Sequence, residues 1–504
     1  MRLSPFLIPI VLPALLSAEA GILYAQQSPG TASFAAGGTA SFAAGDTAPL
    51  AAFEQVLVDT IAQNEKSVVA IARVRISRPD EALRPEFRPD PFGRRAIVSS
   101  DPQPTDPDFV PNEYGTGVVI DRRGLILTAY HVLGEDSEYY VTTADRKVYR
   151  ARIKGADPRS DLAVLQIDAA SLEPITFGNA ERVRKGEIVI ALGNPYAIAR
   201  DGQVSASWGM ISNLARKAPP TPNEFDSTGK RTLHHFGTLI QTDAKLNLGT
   251  SGGPLLNRKG EMVGLTVALA ATAGYEQAAG YAIPVDATFR RVVDVLKEGR
   301  EVEYGFLGIQ PANLRPEEVL AGTQGIRVFR VEPGTPADRY GLKPDDLVTA
   351  VAGRPIYDAD GLMLEVGRLP VESVAKLSVV RNGSPRTVNV TLTKYRVREQ
   401  PIVTNRPRPW RGMRVDYPSV VVSADPQARS RQPYYGEGVI VTYVAEGSPA
   451  AAAELQPGMR ITHVGRTAVR TPKEFLAAMG SKSGSVQVRL ADVEEPIRTI
   501  TSGT

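Results

Sequence analysis

TDAKLNLGTSGGPLLN, residues 242–257, places Ser251 among glycines in a loop bounded by apolar residues. Glycine lets the backbone bend sharply and approach a substrate closely, because it has no Cβ to clash. A serine becomes a strong nucleophile when a neighbouring base takes its proton, and the oxyanion formed by its attack needs backbone N–H donors. The loop can provide both, with Gly249 and Ser251 as the expected N–H donors. The alternative is an ordinary Gly/Ser turn, so a base and a carboxylate must be found elsewhere.

The candidate bases are the four histidines of the chain, His131, His234, His235 and His463. The first directly follows a predicted strand, where a β-barrel would hold it rigidly. The adjacent pair lies in a polar segment and is expected to be solvated. The last lies within a predicted strand and is expected to be a packing or surface residue.

Asp161 is the candidate carboxylate. It opens a predicted strand, where an Asp is ordinarily a turn residue, but it lies between His131 and Ser251 in the chain. The order His, Asp, Ser on a β-rich framework is that of the chymotrypsin triad. In such a triad Ser251 attacks the peptide carbonyl, His131 takes its proton and later protonates the leaving amine, and Asp161 holds the imidazole in one tautomer.

Length and composition limit the class of protein. The chain has 504 residues, enough for about three domains. Hydrophobic residues make up 42% and charged residues 22%, as in a globular protein, and a net charge of +3 gives no reason to expect a nucleic-acid surface. The lack of cysteine excludes disulfides, thiolate metal sites and a cysteine nucleophile. Because no His/carboxylate cluster has ligand spacing, we expect neither a metal nor another cofactor.

The N-terminus predicts export. Arg2 precedes the apolar run FLIPIVLPALL (residues 6–16) and then small residues, which is the pattern of a secretory signal peptide over residues 1–25. The run is short for a membrane span of about 20 residues. An uncleaved anchor, the only part through which the chain would meet a membrane, and a buried helix are the alternatives. Residues 26–52 contain TASFAAG twice and predict a flexible tether.

Residues 53–300 predict a mainly β domain. It begins with a helix, because apolar residues have helical spacing over residues 51–67. Many short strand-like segments follow, which is typical of barrels or sandwiches, and a helix over residues 286–297 ends the region. Two polar stretches, 77–112 and 215–237, are predicted to be long loops.

The C-terminal part contains an internal repeat. EPGTPADRYGLKPDDLVTAVAGRPI (332–356) matches AEGSPAAAAELQPGMRITHVGRTAV (445–469). Two α+β domains are therefore predicted over residues 304–395 and 409–503, joined by a Pro/Arg-rich linker at 396–408.

These features together resemble the HtrA/DegP family of serine proteases, and both repeats resemble its PDZ domains. The resemblance extends from about Phe53 to the C-terminus and rests on six motifs in order: GTGVVID (115–121), LTAYHVL (127–133), SDLAVLQI (160–167), GNP (193–195), GTSGGPLLN (249–257) and GYAIPVD (280–286). It implies a trypsin-like double β-barrel, with His131 and Asp161 on the first barrel and Ser251 on the second.

The resemblance also implies a function. We expect a serine endopeptidase that degrades unfolded or damaged proteins in the periplasm or cell envelope without ATP. It is expected to be a homo-oligomer, either a trimer or a multiple of trimers. Small aliphatic residues are expected before the cut, with residues 269–280 lining the pocket. The alternative is a catalytically weak chaperone or PDZ scaffold that retains the protease fold. A secreted digestive protease fits poorly, because disulfides are lacking.

Thr250 departs from the family pattern, which has Asn before the serine. Thr lacks the Asn amide, so the loop and its oxyanion hole can differ, although we expect activity to be retained. Digestive relatives carry an Asp at this position, which pairs with a newly cut N-terminus, and neutral Thr250 cannot form that ion pair. Activation is therefore expected to depend on the order of the loops 215–237 and 269–280.

The PDZ repeats are expected to bind extended peptides by adding a strand to a sheet edge. In the first, the carboxylate-binding loop is FLGI, formed by Phe306, Leu307, Gly308 and Ile309. In the second, the matching residues are Arg411, Gly412 and Met413, and an arginine replaces the usual apolar residue. Peptide binding and a structural or assembly role both stay open for this repeat.

Overall fold

The structure is a computed structural model, and it describes residues 44–76, 88–89, 95–96, 113–194, 203–219, 229–267, 280–420, 436–480, 482–491 and 493–502. The α-helices within these ranges are α1 (Ala44–Asn64), α2 (Ala287–Lys297), α3 (Pro316–Leu320), α4 (Pro336–Arg339), α5 (Ala359–Arg368), α6 (Pro449–Ala452) and α7 (Pro472–Gly480). Short 3-10 turns span Glu65–Ser67, Tyr130–Val132, Ala180–Arg182, Leu233–Phe236 and Pro418–Val420. No helix of this part of the chain combines the length and apolarity needed to cross a membrane.

The strands of the first half are β1 (Val68–Arg75), β2 (Arg88–Pro89), β3 (Arg95–Ala96), β4 (Glu113–Asp121), β5 (Leu125–Ala129), β6 (Ser137–Thr142), β7 (Val148–Asp157), β8 (Leu162–Gln166), β9 (Ile188–Gly193), β10 (Ser205–Arg216), β11 (Leu239–Thr242), β12 (Pro254–Asn257), β13 (Met262–Val267) and β14 (Gly280–Pro284). Those of the second half are β15 (Gly305–Phe306), β16 (Ile309–Asn313), β17 (Ile326–Val331), β18 (Leu347–Val351), β19 (Arg354–Pro355), β20 (Val374–Arg381), β21 (Ser384–Thr391), β22 (Thr393–Lys394), β23 (Ile402–Val403), β24 (Met413–Asp416), β25 (Val439–Val444), β26 (Arg460–Val464), β27 (Thr467–Ala468), β28 (Val486–Leu490) and β29 (Ile497–Ile500).

The first barrel closes on itself in the order β7-β6-β1-β4-β5-β8, with β8 paired back to β7. Fully buried aliphatic side chains such as Ile71 and Ile126 fill its interior. A Cβ on Gly117 of β4 would lie 2.5 Å from Ile126 Cγ2 and 2.9 Å from Ile71 Cδ1. Glycine at this position therefore lets the aliphatic side chains pack at the density of a protein interior.

The second barrel closes in the order β10-β11-β14-β13-β12-β9. Leu255 on β12 lies opposite Ala191 on β9, and both are buried. The strand β12 begins directly after the Ser251 loop, so the barrel holds the C-terminal end of that loop in place. The predicted mainly β fold with two barrels is confirmed.

The C-terminal repeats form two sheets of the same topology. The main path of the first is β16-β17-β18-β20-β21 and that of the second is β24-β25-β26-β28-β29, with a short sixth strand beside the middle of each. Each sheet has its own apolar core, which includes Val348 and Leu377 in the first and Ile461 and Phe475 in the second.

Two segments predicted to be irregular are partly regular. Residues 44–52 of the predicted tether belong to α1. Within the predicted loop 215–237, β10 continues to Arg216 because it pairs with β11, and Leu233–Phe236 forms a largely buried 3-10 turn. The polar composition concealed these elements, because their buried groups are satisfied by distant parts of the chain rather than by water.

The predicted linker 396–408 is anchored on the first barrel. Its strand β23 pairs with β7, so that Ile402 lies opposite Ala156. Asn405 then donates its backbone N–H to the Gly299 carbonyl at 2.9 Å. The unpaired edge of a strand can hydrogen-bond to another extended segment that reaches it. The sequences of β7 and β23 do not by themselves indicate that the two strands pair. The predictions for residues 1–43, most of 77–112 and 269–279 lie outside the described residues.

Candidate active site

His131 and Asp161 meet at one end of the first barrel. The strands β5 and β8 are paired with Ala129 opposite Leu162, so the chain leaving β5 lies beside the chain entering β8. His131 Nδ1 lies 2.8 Å from Asp161 Oδ2, and the His131 backbone N–H donates to Oδ1 at 3.0 Å. The Tyr130 N–H donates to the Asp161 carbonyl at 2.9 Å. These three hydrogen bonds fix the carboxylate and the plane of the imidazole together.

The tautomer of His131 follows from its partner. A carboxylate only accepts hydrogen bonds, so Nδ1 carries the proton and Nε2 is the nitrogen that can take one. The Asp161 side chain is 9% exposed, whereas the His131 side chain is 40% exposed. The carboxylate is therefore shielded from water while the imidazole is accessible to a substrate.

The charges of the pair support each other. Loss of hydration lowers the pKa of His131, but the charge and hydrogen bond of Asp161 outweigh this, and the net pKa lies above 6.5. Burial raises the pKa of Asp161, but the charge and hydrogen bonds of His131 outweigh it, and the net pKa lies below its usual range. Asp161 is therefore ionised at neutral pH and stabilises a protonated imidazole.

Thr116 of β4 joins the Ser251 loop to the first barrel. Its backbone N–H donates to the Ser251 carbonyl at 2.8 Å, and its hydroxyl donates to the Gly249 carbonyl at 2.7 Å. The same hydroxyl accepts the Asn194 N–H at 2.9 Å. The side chain and the amide of Thr116 thus hold both residues of the predicted oxyanion hole. Thr116 and Gly249 are 133 positions apart in the chain.

Gly252 brings the loop against the end of β5. A Cβ on Gly252 would collide with the Thr116 carbonyl and the Thr128 hydroxyl, and it would lie 3.2 Å from the Ala129 nitrogen. Gly252 also has φ 89°, which favours glycine. Because Ala129 lies two residues before His131, this contact sets the Ser251 segment beside the strand end that carries the imidazole.

The turn before Ser251 is closed by Thr250. Its hydroxyl donates to the Asn247 carbonyl at 2.7 Å, and the Thr266 hydroxyl donates to the Thr250 carbonyl at 2.6 Å. Gly249 has φ 92°. Among the described residues, no backbone carbonyl accepts a hydrogen bond from the Gly249 N–H. Thr250 thus orders the turn through its hydroxyl, without the amide of an asparagine.

The sequence did not single out Thr116, and it led to a wrong expectation for His234. Thr116 lies in the glycine-flanked motif GTGVVID, and this close glycine spacing was the only local signal of a tight approach. His234 was expected to be solvated, but it is 4% exposed, and its Nε2 lies 2.8 Å from the Ser160 carbonyl. His235 is only partly buried and accepts the Thr232 backbone N–H at 3.1 Å.

The FLGI loop of the first repeat lies beside an edge strand. Phe306 ends β15 and Ile309 begins β16, which pairs with only β17 among the described strands. Gly308, with φ 88°, packs against Thr335, and Leu307 is buried in the core. Helix α5 contacts β16. An edge strand flanked by a helix is the arrangement that accepts an added peptide strand.

The second repeat keeps the hydrogen bonds of the loop but has a different side chain, and Arg411 has φ 47°, in the left-handed region, unlike Leu307. The Ala450 N–H donates to the Arg411 carbonyl and the Ala445 N–H to the Gly412 carbonyl, as Ala337 and Glu332 do to Leu307 and Gly308 in the first repeat. Gly412 has φ 88° and Met413 begins the edge strand β24.

Arg411 points its guanidinium at the C-terminal strand region. Its Nη1 donates to the carbonyls of Ile500 and Thr501 at 2.8 and 2.7 Å, and its Nη2 to those of Lys482 and Gly484 at 3.1 and 2.6 Å. An arginine with four carbonyl acceptors ties these segments together. The geometry gives Arg411 a structural task that an apolar residue could not perform.

Comparisons with known proteins agree with this architecture. Residues 115–265 match the trypsin-like peptidase domain family, and residues 305–392 and 440–491 each match a PDZ domain family. A relative from Chlamydia trachomatis, described as a "probable periplasmic serine endoprotease DegP-like", is 30% identical over 394 residues, which cover 77% of this chain and 73% of the relative. The chain belongs to the DegP-like family of serine endoproteases.

Other DegP-like relatives give the same result. The relative from Pseudomonas fulva is 32% identical over 427 residues, covering 82% of this chain and 84% of its own. Among solved structures, the HtrA-type protease AlgW with a tripeptide is 25% identical, covers 66% of this chain and 96% of its own, and has a TM-score of 0.50. The predicted resemblance and the assignment as a serine protease are confirmed. In the described part of this DegP-like chain, no group of three or more His, Asp or Glu side chains is placed to hold a metal ion.

Proposed function

We propose that this chain is an exported serine endopeptidase that degrades unfolded or damaged proteins in the periplasm or cell envelope. In this proposal Ser251 is the nucleophile, His131 the general base and Asp161 the carboxylate that orients the imidazole. The observation that carries it is the His131–Asp161 pair, 2.8 Å between Nδ1 and Oδ2, at the end of the barrel to which the Ser251 loop is hydrogen-bonded.

The chemistry follows from the protonation states. His131 Nε2 takes the Ser251 hydroxyl proton as the oxygen attacks the peptide carbonyl, and the resulting imidazolium is stabilised by ionised Asp161. The imidazolium then gives its proton to the leaving amine, and the acyl group stays on Ser251. Water repeats the sequence: His131 takes a water proton, hydroxide attacks the ester, and the proton returns to the Ser251 oxygen.

The oxyanion hole is proposed to consist of the N–H groups of Gly249 and Ser251. Thr116 supports this hole without occupying it. Its own N–H and hydroxyl donate to the carbonyls of Ser251 and Gly249, and it accepts no hydrogen bond from the N–H groups of these two residues. Fixing the carbonyls sets the direction of the neighbouring amides before the substrate arrives, and preorganised donors of this kind lower the barrier most.

Substrate recognition is proposed to involve the first PDZ domain. Its edge strand β16 can pair with an extended peptide, and Phe306, Leu307, Gly308 and Ile309 form the loop that would receive a terminal carboxylate. A similar protein of known structure is described as an HtrA-type protease with a tripeptide, which agrees with peptide substrates or ligands for this chain.

Activation is proposed to depend on the order of the 215–237 segment. Lys217 Nζ pairs with Asp358 at 3.0 Å and with Asp360 at 2.7 Å, and Lys230 Nζ pairs with Asp360 at 2.7 Å. Both aspartates lie at the start of α5, the helix that flanks the edge strand β16. The PDZ domain can therefore order this segment through ion pairs.

Replacing Asp358 and Asp360 by Asn is expected to lower basal proteolysis about 2- to 10-fold, because partly exposed ion pairs contribute up to about 1 kcal/mol each. The loss should grow smaller at high salt, where the wild-type pairs are themselves screened. Glu318→Gln, which removes an ion pair to Arg327 within the PDZ domain, is the matched control. Equal activity of all three proteins in low salt would contradict the proposal.

The active form is proposed to be a homo-oligomer, as a trimer or its multiple. Trp208 and Met210 of β10 are 56% and 43% exposed, and Phe53 lies edge-on to Trp208 with ring centroids 5.5 Å apart. Large exposed apolar side chains that lie together mark interaction surfaces. A second copy of the chain is the partner that the resemblance implies.

Trp208→Asp is expected to convert the oligomer into monomer, because a carboxylate would be buried without a partner in the interface. Size-exclusion chromatography with light scattering measures the mass of each protein directly. Val374→Asp, which changes an exposed valine of the PDZ domain (58% exposed), controls for added charge. A wild-type monomer, or a variant of unchanged mass, would overturn this assignment.

Cleavage of casein, an unfolded protein, tests the proposed activity. Protein starting at about Gln26 should produce fragments, and Ser251→Ala should reduce the rate by about 10⁶-fold, as expected when the nucleophile of a triad is removed. Thermal unfolding of both proteins should be alike, since only one hydroxyl is lost. No fragments from either protein would favour the chaperone or scaffold alternative.

A further inference from the structure

The connection between β7 and β8 carries Asp161 in an unusual backbone conformation. Residues 158–161 are all buried, and Asp161 has φ 56°, in the left-handed region. This conformation costs free energy for any residue except glycine, although Asp tolerates it better than most. It persists only where neighbouring groups hold the backbone, so the contacts of residues 158–160 act together with the hydrogen bonds from Tyr130 and His131 to set where the Asp161 carboxylate points.

His234 holds this connection from one side. Its Nε2 lies 2.8 Å from the Ser160 carbonyl and its Nδ1 lies 2.7 Å from the Thr238 hydroxyl. A carbonyl only accepts, so Nε2 carries the proton and the Thr238 hydroxyl donates to Nδ1. Burial lowers the pKa of His234, which keeps this neutral tautomer at neutral pH. The Leu233 N–H adds a second hydrogen bond, to the Arg159 carbonyl at 2.9 Å.

Asp157 holds the connection from the other side. Its Oδ2 accepts the Ser160 N–H at 2.9 Å and the Ser160 hydroxyl at 2.5 Å. The same oxygen accepts the hydroxyl of Tyr304, a fully buried residue that leads into the first PDZ domain. Ser160 is thus hydrogen-bonded through its amide, its hydroxyl and its carbonyl, and only the carbonyl depends on His234.

We propose that His234 is a positioning residue for proteolysis, which fixes the Ser160 carbonyl and thereby aims the Asp161 carboxylate at His131. The inference rests on the triad proposed above. The Ser160 carbonyl belongs to the peptide unit whose nitrogen is that of Asp161, so rotation of this unit turns Asp161 directly. Asp157 restrains the other peptide unit of Ser160 and cannot replace the hydrogen bond from His234.

His234→Leu removes the Nε2–H donor to the Ser160 carbonyl and fills the buried position with an apolar side chain of similar size. The Asp161 carboxylate should then leave its alignment with His131 in part of the population. We expect kcat for a chromogenic peptide to fall about 10- to 100-fold, in line with the cost of small misplacements, while KM stays within about twofold. The acid limb of the kcat/KM profile should move to lower pH, because His131 loses part of the carboxylate that raises its pKa.

His234→Gln is the rescue variant. The Gln side-chain amide can place its nitrogen near the position of the imidazole Nε2 and donate to the same carbonyl, so kcat should stay within about threefold of wild type. His463→Leu is the matched control: it changes a histidine of β26 in the second PDZ domain, whose Nδ1 lies 3.1 Å from the Thr462 hydroxyl and which makes no hydrogen bond to the Asp161 connection. This variant should keep the wild-type kcat and pH profile.

Steady-state kinetics from pH 5 to 9 and thermal unfolding decide the matter. A lower kcat and a shifted acid limb in His234→Leu, with rescue in His234→Gln, support the proposal. It is overturned if His234→Leu keeps the wild-type kcat, if both variants are impaired alike, or if only the melting temperature falls. A wild-type protein that does not cleave, or a Ser251→Ala variant that cleaves equally well, overturns the proposed function itself, which separates the two failures.

Discussion

Asp161→Asn is expected to lower kcat about 10⁴-fold while leaving the fold intact. Asn tolerates the left-handed backbone of this position (φ 56°) as well as Asp does. The Asn side chain can accept hydrogen bonds through only one oxygen, because its other terminal group is an NH₂ donor. An NH₂ group facing His131 Nδ1 would favour the tautomer with the proton on Nε2, which cannot take the serine proton. A triad with this substitution loses about four orders of magnitude in kcat.

The pH profile of the same variant provides a second result. In the wild type Asp161 holds the pKa of His131 above 6.5, so the imidazole is charged below this pKa and activity rises as the pH increases through it. Without the carboxylate charge the acid limb should move to lower pH, even though the maximum rate is much smaller. Asp168→Asn, which changes an 84% exposed aspartate paired with Arg152, should match wild type. An Asp161→Asn variant within tenfold of wild type would contradict the role of Asp161.

Gly252→Ala is expected to reduce kcat at least about 100-fold, because it forces the Ser251 loop away from the first barrel. The new Cβ would collide with the Thr116 carbonyl and lie against Ala129, two residues before His131. Neither contact is with the end of a flexible side chain, so the loop backbone itself must move. A displacement of about 1 Å of a reacting group costs on the order of 100-fold in rate.

Gly186→Ala separates this collision from backbone strain. Gly186 has φ 86°, close to the 89° of Gly252, but a Cβ there would meet nothing within 4 Å. Both variants carry the penalty of about 1–2 kcal/mol for an L-residue in this region, and only Gly252→Ala adds the collision. Thermal unfolding should show that both variants are destabilised by the backbone strain. Kinetics should show a loss of kcat in Gly252→Ala alone. Equal kcat in the two variants would mean that the junction at Gly252 does not position Ser251.

The proposed dependence of the site on PDZ contacts rests on two sets of contacts. Lys217 and Lys230 lie in the segment that also contains His234, and they pair with aspartates of α5. Tyr304, at the entry to the first PDZ domain, bonds to Asp157 on the Asp161 connection. Both connections lead from the PDZ domain to the residues that surround Asp161. They agree with the expectation that loop order controls activity.

Local sequence patterns determined the parts of this protein that depend on local chemistry. Many short strand-like segments predicted the β-rich domain, the repeat predicted two similar domains, and the glycines around Ser251 indicated a tight loop. The order of His131, Asp161 and Ser251 could be recognised because catalytic chemistry needs these residue types. Each of these signals lies within a short stretch of chain or in the order of such stretches.

Tertiary structure alone decided which distant residues support the site. Thr116 holds the Gly249 carbonyl across 133 positions, Tyr304 reaches Asp157 across 147, and His234 reaches Ser160 across 74. A buried hydrogen bond satisfies a polar group in the same way that water does, so a polar segment such as 229–238 gives no local sign of being buried. The partner is chosen by barrel closure and domain packing, and those depend on the whole chain rather than on any one stretch.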